Sequence, residues 1–198
     1  MQMKREEIYR IFSNIPTLQT DRLTLRRLMV ADAMDMYEYS KNKEVTRYLT
    51  WEAHPDAAYT REYLQYIGSH YNVGDFFDWG VILNDEDKMI GTCGFTRFDY
   101  NNNSGEVGYV INPAYRGRGI AAEAVREVMR FGFDDLGLNR IEAKFIEGNA
   151  ASMRVMEKTG MTFEGYHRSS MLIKGEYKTI GICSILRDEF IASVGGVL

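Results

Sequence analysis

Apolar runs and polar turns divide the middle of the chain into short elements. Phe76–Leu83 and Met89–Phe98 are two apolar segments separated by the acidic turn Asn84–Asp87, a pattern typical of a β-hairpin. A second polar turn, Asn101–Gly105, leads into a third apolar segment, Glu106–Ile111. The pattern therefore predicts three successive antiparallel strands.

After this meander the periodicity changes from strand to helix. Ile120–Phe133 has helical spacing of its apolar residues, and Arg140–Ile146 is again strand-like. A strand, a helix and a second strand in this order favour a crossover with parallel pairing. A short helix, Ala150–Lys158, follows, and Gly160 is placed to end it.

The N-terminal part contains weaker patterns. Lys4–Phe12 predicts a short charged helix, and the loosely alternating segment Leu23–Leu28 predicts a first strand of imperfect phase. Asp32 begins a helix predicted to run through Tyr39, and Pro55-Asp56 begins another that ends at Gly68 or within 72–74.

The pattern as a whole predicts one α+β domain. Two final strands, Met161–Leu172 and Tyr177–Leu186, complete a mixed, mostly antiparallel sheet of about seven strands with a central βαβ crossover and flanking helices. We predict an N-terminal helical arm over 1–19, the domain over 20–190 and a C-terminal tail over 191–198.

Composition narrows the classes of function. The net charge of -4 gives no basic excess to neutralise a nucleic-acid backbone, so we expect no direct nucleic-acid binding. The charged N-terminus has no apolar signal region, and no apolar run approaches the length of a membrane span. Cys93 and Cys183 show no metal or disulfide spacing. These features predict a cytoplasmic protein without a metal site or a membrane partner.

The connection between the third strand and the long helix carries candidate chemistry. It reads Asn-Pro-Ala-Tyr-Arg-Gly-Arg-Gly-Ile-Ala-Ala-Glu over residues 112–123. Gly117 and Gly119 allow close approach of the backbone to a ligand, and the helix begins there with its positive dipole end. Arg116 and Arg118 add guanidinium groups suited to phosphate oxygens. The segment predicts a phosphate-binding turn.

Spacing alone leaves two interpretations of this turn open and excludes a third. Gly117-x-Gly119-x-x-Ala122 matches a dinucleotide fingerprint, with Glu147 as the acidic residue, and would make the chain an NAD(P)-binding protein. Five residues between strand and glycines, and the preceding meander, argue against it. A P-loop is excluded because no Gly-Lys-Ser or Gly-Lys-Thr ends the turn. The turn could also be a simple connector with solvated arginines.

The residue types in the turn support a further interpretation. Arg116-x-x-Gly119-x-Ala121 resembles the Arg/Gln-x-x-Gly-x-Gly/Ala motif of GNAT acetyltransferases, whose loop binds the pyrophosphate of acetyl-CoA. The segments 149–161 and 20–26 resemble, respectively, that family's second CoA segment and the first strand of the branch that acetylates ribosomal-protein N-termini. The resemblance covers roughly residues 20–188 and implies the GNAT fold.

The resemblance also implies a cofactor site and a reaction. Acetyl-CoA would be bound as co-substrate, with the pantetheine arm pairing to a strand that bends away from its neighbour. The implied cofactor-binding residues are Val110, Ile111, Arg116, Gly117, Arg118, Gly119, Ile120, Ala121, Asn149 and Ser152. Asn149 could also simply cap the following helix.

The groups that move protons are less clearly indicated. Many GNAT enzymes carry a tyrosine acid where this chain has Met156, so Ser152 becomes the candidate acid for the leaving thiolate. The glutamate proposed for the ribosomal-protein branch aligns near Met171 and is absent. Glu106 is then the candidate general base, although a salt-bridged surface glutamate is an equally good interpretation.

The resemblance predicts an N-acetyltransferase whose acceptor is a primary amine, most simply the α-amino group of a ribosomal or other protein N-terminus. A small-molecule amine such as a polyamine or an antibiotic, and a CoA-binding module without transferase activity, are the alternatives. The sequence leaves a homodimer open. The residues expected to line the acceptor pocket, half of them with a core role, are Trp51, Glu52, Tyr63, Phe77, Trp79 and Phe95.

Overall fold

A single eight-stranded sheet forms the centre of the molecule. The computed structural model describes residues 4–195, with the side chains of 4–193. The strands are β1 (Leu18–Gln19), β2 (Leu23–Arg26), β3 (Asp78–Leu83), β4 (Lys88–Asp99), β5 (Ser104–Ile111), β6 (Arg140–Ile146), β7 (Thr162–Ile173) and β8 (Glu176–Leu186). Their order across the sheet is β1-β2-β3-β4-β5-β6-β8-β7. Only the central β5–β6 pair is parallel, which confirms the predicted meander and crossover.

Seven helices flank this sheet in the described part of the chain. They are α1 (Arg5–Ser13), α2 (Ala33–Ser40), α3 (Lys43–Thr46), α4 (Ala57–Val73), α5 (Ile120–Asp134), α6 (Ala150–Lys158) and α7 (Arg187–Gly195). Local sequence sets their ends. Asp56 caps α4 by accepting a hydrogen bond from the backbone N–H of Tyr59, and Gly74 ends the helix in a left-handed conformation.

The two faces of the sheet have different covers. Helix α5 lies on the face that carries Phe95 and Ile141, because a side chain at Gly132 of α5 would collide with both. Helices α2 and α4 lie over β3 and β4 on the other face, where the Tyr71 hydroxyl of α4 donates to the Asp78 carbonyl at 2.5 Å. The core therefore has two layers, one on each side of the sheet.

The parallel pair opens into a wedge. β5 and β6 are paired only from Ser104 opposite Arg140 to Glu106 opposite Glu142. Beyond that point β5 stays with β4 as far as Ile111, while β6 stays with β8 as far as Ile146. The edge of β5 from 107 to 111 therefore faces a gap instead of a neighbouring strand, as the resemblance implied.

Most predicted elements are confirmed, and three differences are informative. The sheet has eight strands because the short β1 pairs with β2 inside the segment predicted as an arm. Helices α3 and α7 were not predicted, since four residues are too few for a periodic signal and the turns of α7 have a weak apolar face. Of the two ends predicted for α4, the later one within 72–74 is confirmed, because the helix continues past Gly68 to Val73. Helix α7 runs through the predicted boundary at 190/191.

The predicted N-terminal arm packs on the domain. Ile8 and Phe12 of α1 are fully buried, and Phe12 contacts the rings of Trp79 and Phe131 edge to face at 5.3 and 6.2 Å between centroids. The indole N–H of Trp79 donates to the Pro16 carbonyl at 2.7 Å. The three domain boundaries stay predictions, and residues 1–3 and 196–198 lie outside the described range.

Candidate active site

The glycine turn has the backbone geometry of an anion site. Gly117 and Gly119 both adopt left-handed φ angles, +80° and +78°, which L side chains rarely tolerate. Gly119 is the N-cap of α5, so the free N–H groups of the first helical turn begin here. Asn112 begins the preceding 3₁₀ turn by accepting a hydrogen bond from the Ala114 N–H at 3.1 Å.

A distant segment holds the turn in place. The Arg22 guanidinium binds the Glu123 carboxylate at 2.5 Å and donates to the Arg118 carbonyl at 2.9 Å. The Thr20 hydroxyl donates to the other Glu123 oxygen at 2.5 Å. Burial raises the pKa of Glu123, but the hydrogen bonds from Thr20 and Arg22 outweigh it and leave the pKa below its ordinary value. The first strand region thus positions the start of α5.

One cavity of about 870 Å³ connects the turn with the wedge and with the α2–α4 side of the sheet. Ten of the eleven predicted site residues line it: Glu106, Val110, Ile111, Arg116, Gly117, Gly119, Ile120, Ala121, Asn149 and Ser152. Arg118 does not. Its guanidinium lies over the Tyr115 ring at 5.1 Å instead.

The start of α6 brings Ser152 against a strand residue. Asn149 is the N-cap and accepts a hydrogen bond from the Ser152 N–H at 3.2 Å, so the capping interpretation is confirmed. The Tyr109 hydroxyl of β5 lies 2.9 Å from Ser152 Oγ and donates to the Ser152 carbonyl at 3.0 Å. Burial raises the pKa of Tyr109, which keeps its hydroxyl protonated.

Tyr109 was not among the predicted catalytic residues. The sequence offered one signal, its place on the face of β5 that also carries Val107 and Ile111. Met156, at the position of the usual tyrosine, is buried in the core. A phenol is therefore present in the cavity, but it comes from a strand instead of from α6.

Glu106 is engaged in an ion-pair network. Its Oε2 accepts from Lys144 Nζ of β6 at 2.6 Å, and its Oε1 accepts from the Thr96 hydroxyl at 3.0 Å. Arg97 lies 3.6 Å from the same carboxylate. Glu106 lines the cavity, yet both of its oxygens already have partners.

Another carboxylate in the cavity, that of Asp78 at the start of β3, was not predicted. Its Oδ1 is buried and has no hydrogen-bond partner among the described residues. Burial raises the pKa of Asp78 to about 7, although hydrogen bonds from Thr92 and from the Trp79 N–H act in the opposite direction. Ser40 Oγ, also in the cavity wall, is likewise buried without a partner.

Cationic side chains lie at the turn end of the cavity. Arg116 is exposed there and forms no ion pair within the described part of the chain. Arg154 and Lys158 of α6 line the same end and were not predicted as cofactor residues. Their spacing of four residues places both on one side of α6, the signal that could have indicated them.

The predicted acceptor-pocket residues divide into two groups. Trp51, Glu52 and Tyr63 line the cavity. Trp79 and Phe95 are core residues, and Phe77 packs against Phe12. Trp79 and Phe95 point from their strands to the face of the sheet that α5 covers, so they cannot reach the acceptor side of the cavity.

His54 forms part of the cavity wall. His54 is buried in the cavity wall beside the Tyr59 and Tyr63 rings, with Nδ1 2.9 Å from the Thr60 hydroxyl. Burial lowers the pKa of His54, which favours a neutral ring. Within 4–195 no three His, Cys, Asp or Glu side chains are arranged to hold a metal ion.

No helix in the described range is long and apolar enough to span a bilayer. Both cysteines, Cys93 and Cys183, are free and buried.

Comparison with known proteins agrees with the geometry. The family model described as Acetyltransferase (GNAT) domain matches residues 22–162. The chain is 34% identical over 174 residues to the uncharacterized N-acetyltransferase p20 of Bacillus licheniformis, covering 88% of this chain and 98% of that relative. It is also 26% identical over 175 residues to the ribosomal protein uS5 alanine N-acetyltransferase of Escherichia coli, covering 84% and 89% of the two chains.

The fold also matches that of solved structures. The crystal structure of a GNAT-family acetyltransferase from Bacillus anthracis superimposes with a TM-score of 0.78 at 28% identity. The match covers 87% of this chain and 99% of that one.

Proposed function

This chain belongs to the GNAT family of acetyltransferases, and we propose that it transfers the acetyl group of acetyl-CoA directly to the α-amino group of a protein N-terminus. It is an N-acetyltransferase by family. Beyond family membership, we propose the identity of the donor and of the acceptor, and the residues that bind them. Family membership and the antiparallel meander argue against a dinucleotide-binding domain and favour a transferase over a CoA-binding module without transferase activity.

The observation that carries the proposal is the continuity of the cavity. A single space contains the glycine turn, the unpaired edge of β5 and the Tyr109–Ser152 pair, and it continues to the opposite face of the sheet. A donor can therefore enter from one side and an acceptor from the other, and both meet at the wedge. Direct transfer requires this meeting of the two substrates.

In the donor half, the proposed roles follow from the chemistry of CoA. The N–H groups from Gly117 to Ala121 would bind the pyrophosphate, because they lie at the N-terminus of α5. Arg116, Arg154 and Lys158 would add positive charge for the phosphates. The unpaired edge at Val110 and Ile111 would pair with the pantetheine amides, and a strand N–H would polarise the thioester carbonyl.

The leaving thiolate needs a proton. Ser152 Oγ is the group that we assign to it, and Tyr109 stands 2.9 Å behind Ser152 as a second donor. Asn149 would serve chiefly by capping α6 and so holding Ser152 at the cavity wall. Glu106 would form an ion pair with Lys144. Its role as general base stays a prediction, which the Glu106→Gln variant tests.

The acceptor is proposed from the relatives and from the shape of the site. The E. coli relative is named for acetylation of a ribosomal-protein alanine. The acceptor half of the cavity has aromatic lining that includes Trp51, Tyr59 and Tyr63, which suits the first residues of an extended chain end. The family's substrates and the free, buried cysteines are compatible with a cytoplasmic enzyme.

A small-molecule amine is the second candidate. The observation in its favour is the buried carboxylate of Asp78, because an enclosed anion also suits a compact polyamine.

An acceptor panel separates these candidates. The chain is incubated with acetyl-CoA and, separately, with tetrapeptides beginning with Ala or Ser, with spermidine and with kanamycin, and products are identified by mass spectrometry. We expect kcat/KM for a peptide to exceed that for spermidine by at least about tenfold. Acetylated spermidine or kanamycin without acetylated peptide would replace the protein acceptor with the small amine. Stabilisation by NADH but not by CoA would contradict the donor assignment.

A further inference from the structure

The acceptor half of the cavity contains an unused carboxylate. Asp78 lies directly opposite Gly94 of β4, and Gly94 lies opposite Gly108 of β5. Residues opposite each other in antiparallel strands point to the same face, so these three form one row across the sheet. The two glycines contribute no side chain to that row, although the Thr96 methyl group lies over Gly108, 2.7 Å from where a Cβ would be.

The glycine at position 94 makes room for the carboxylate. A Cβ atom there would lie 2.3 Å from the Phe77 carbonyl oxygen, 2.4 Å from Asp78 Cα and 2.7 Å from Asp78 Oδ1, so it would collide with both the backbone and the carboxylate. The carboxylate therefore lies over Gly94, one strand from β5, and adjacent strands are ~4.8 Å apart. In the proposed arrangement an amine nitrogen hydrogen-bonded to Oδ1 would lie within ~3.5 Å of a carbon bound over β5.

We propose that Asp78 is the acceptor-binding catalytic residue, whose Oδ1 receives the primary ammonium group of the acceptor and takes one proton from it. The proposal rests on the proposed function, because it places the thioester at the wedge beside β5. It also assigns the substrate class of this subsite, a primary ammonium group next to an aromatic wall.

The surroundings favour a cation at this point. Tyr63 interacts electrostatically with Asp78, and Trp51, Tyr59 and Tyr63 line the cavity with their rings around His54; aromatic faces attract ammonium groups. The carboxylate forms no ion pair within the described residues, so its charge is free for a ligand. Glu106, by contrast, is bound by Lys144 and Thr96.

The other ionisable groups near Asp78 do not compensate its charge. They are Tyr39 of α2, Tyr63 and Tyr71 of α4 and Cys93 of β4. Burial raises the pKa of each, so all four are neutral at pH 7. On β2, Arg26 is already held by both oxygens of Asp32 at 2.7 and 2.9 Å. His54, in the same cavity wall, is kept neutral by burial.

The step balances in protons and bonds. Asp78 takes one proton from R–NH₃⁺ and becomes a carboxylic acid. The freed lone pair forms the C–N bond to the thioester carbon, and the C–S bond breaks. The second amine proton passes to the thiolate through Ser152 or water, and Asp78 then releases its proton to solvent.

The test compares two carboxylate variants in the full chain. Asp78→Asn, Glu106→Gln and the surface control Asp134→Asn are assayed with the panel acceptor that the wild type acetylates best. We expect Asp78→Asn to lower kcat/KM by about 100-fold or more at pH 8. The acidic limb near pH 7 should disappear, so that the remaining rate follows ionisation of the free amine. Affinity for CoA should not change.

A second measurement does not depend on turnover. Because burial raises the folded-state pKa of Asp78 from 3.8 to about 7, the stability associated with its proton is present below about pH 4 and is lost as the pH rises through 7. Asp78→Asn should therefore raise the melting temperature at pH 8, and the difference should narrow toward pH 5. Butylammonium chloride should stabilise the wild type more than sodium chloride does, and should not stabilise Asp78→Asn.

The outcomes distinguish the two levels of the proposal. An unchanged pH profile in Asp78→Asn, or loss of the limb in Glu106→Gln alone, would overturn the role of Asp78 and leave the transferase intact. A wild type that binds CoA and butylammonium but acetylates no panel member would contradict the proposed acceptors while supporting the ammonium site.

Discussion

Individual side chains in the cavity gain their chemistry from neighbours that are distant in sequence. Ser152 alone is a weak acid, since a serine hydroxyl gives up its proton reluctantly. The Tyr109 hydroxyl, 2.9 Å away and protonated because burial raises its pKa, can replace a proton that Ser152 donates. In the proposed mechanism the pair would take the place of the missing helix tyrosine, with the phenol contributed by β5.

If the two hydroxyls act as a unit, their removal should not be additive. Tyr109→Phe and Ser152→Ala should each lower kcat by about 10- to 100-fold, and the double variant should be no slower than the slower single variant. Steady-state kinetics with saturating acetyl-CoA measure this. Tyr37→Phe, which removes a similar hydroxyl outside the cavity wall, is the control and should keep wild-type kcat. Independent, multiplicative losses would show that the hydroxyls do not act together.

At the scale of elements, the start of α5 is the part that depends most on backbone conformation. The left-handed Gly119 sets the direction of the first helical N–H groups, and Arg22 and Glu123 tie that end of the helix to the first strand region. An alanine at 119 has two options. It keeps φ positive with a strain of roughly 1 kcal/mol, or it changes φ and turns the N–H groups away.

Both options should weaken the donor site. We expect Gly119→Ala to raise the Kd for CoA by about tenfold or more, which corresponds to ~1.4 kcal/mol, as measured by calorimetry. Gly137→Ala is the matched control, because Gly137 also has a positive φ, +67°, with open space for a Cβ and no place in the cavity wall. It should lose similar stability and keep wild-type affinity. Equal CoA affinity in both variants would sink the phosphate-binding role of the turn.

For the molecule as a whole, the N-terminal helix is part of the core. Phe12 is fully buried among Trp79, Phe77, Phe98 and Phe131, so α1 packs against β3, β4 and α5. At one edge of the sheet, β7 carries the exposed side chains of Phe163 and Tyr166. A homodimer through this edge stays a prediction.

Truncation of Phe12 tests how far α1 belongs to the domain. Phe12→Ala should lower the free energy of unfolding by about 3–5 kcal/mol, because it leaves a cavity in an aromatic cluster. Urea denaturation measures the change. Arg10→Ala, on the exposed side of the same helix, should change stability by less than about 0.5 kcal/mol. Similar effects of the two substitutions would favour an arm that folds separately from the domain.

The sequence by itself determined what depends on neighbours along the chain. The hairpin between β3 and β4, the crossover after β5, the caps of α4 and α6 and the glycine turn are all encoded within a few residues, so periodicity and turn chemistry predicted them. The short β1, α3 and α7 escaped prediction because two to nine residues without a clear apolar period give too little signal.

Only the tertiary structure decided which side chains meet in the cavity. Tyr109 and Ser152 are 43 residues apart, Glu106 and Lys144 are 38 apart, and Arg22 and Glu123 are 101 apart. Such contacts follow from strand register and helix packing, which many core residues set jointly. For the same reason the sequence gives no sign that Asp78 is anything other than the first residue of a strand. Its register against Gly94 and the helices above it leave its carboxylate buried and without a charged partner.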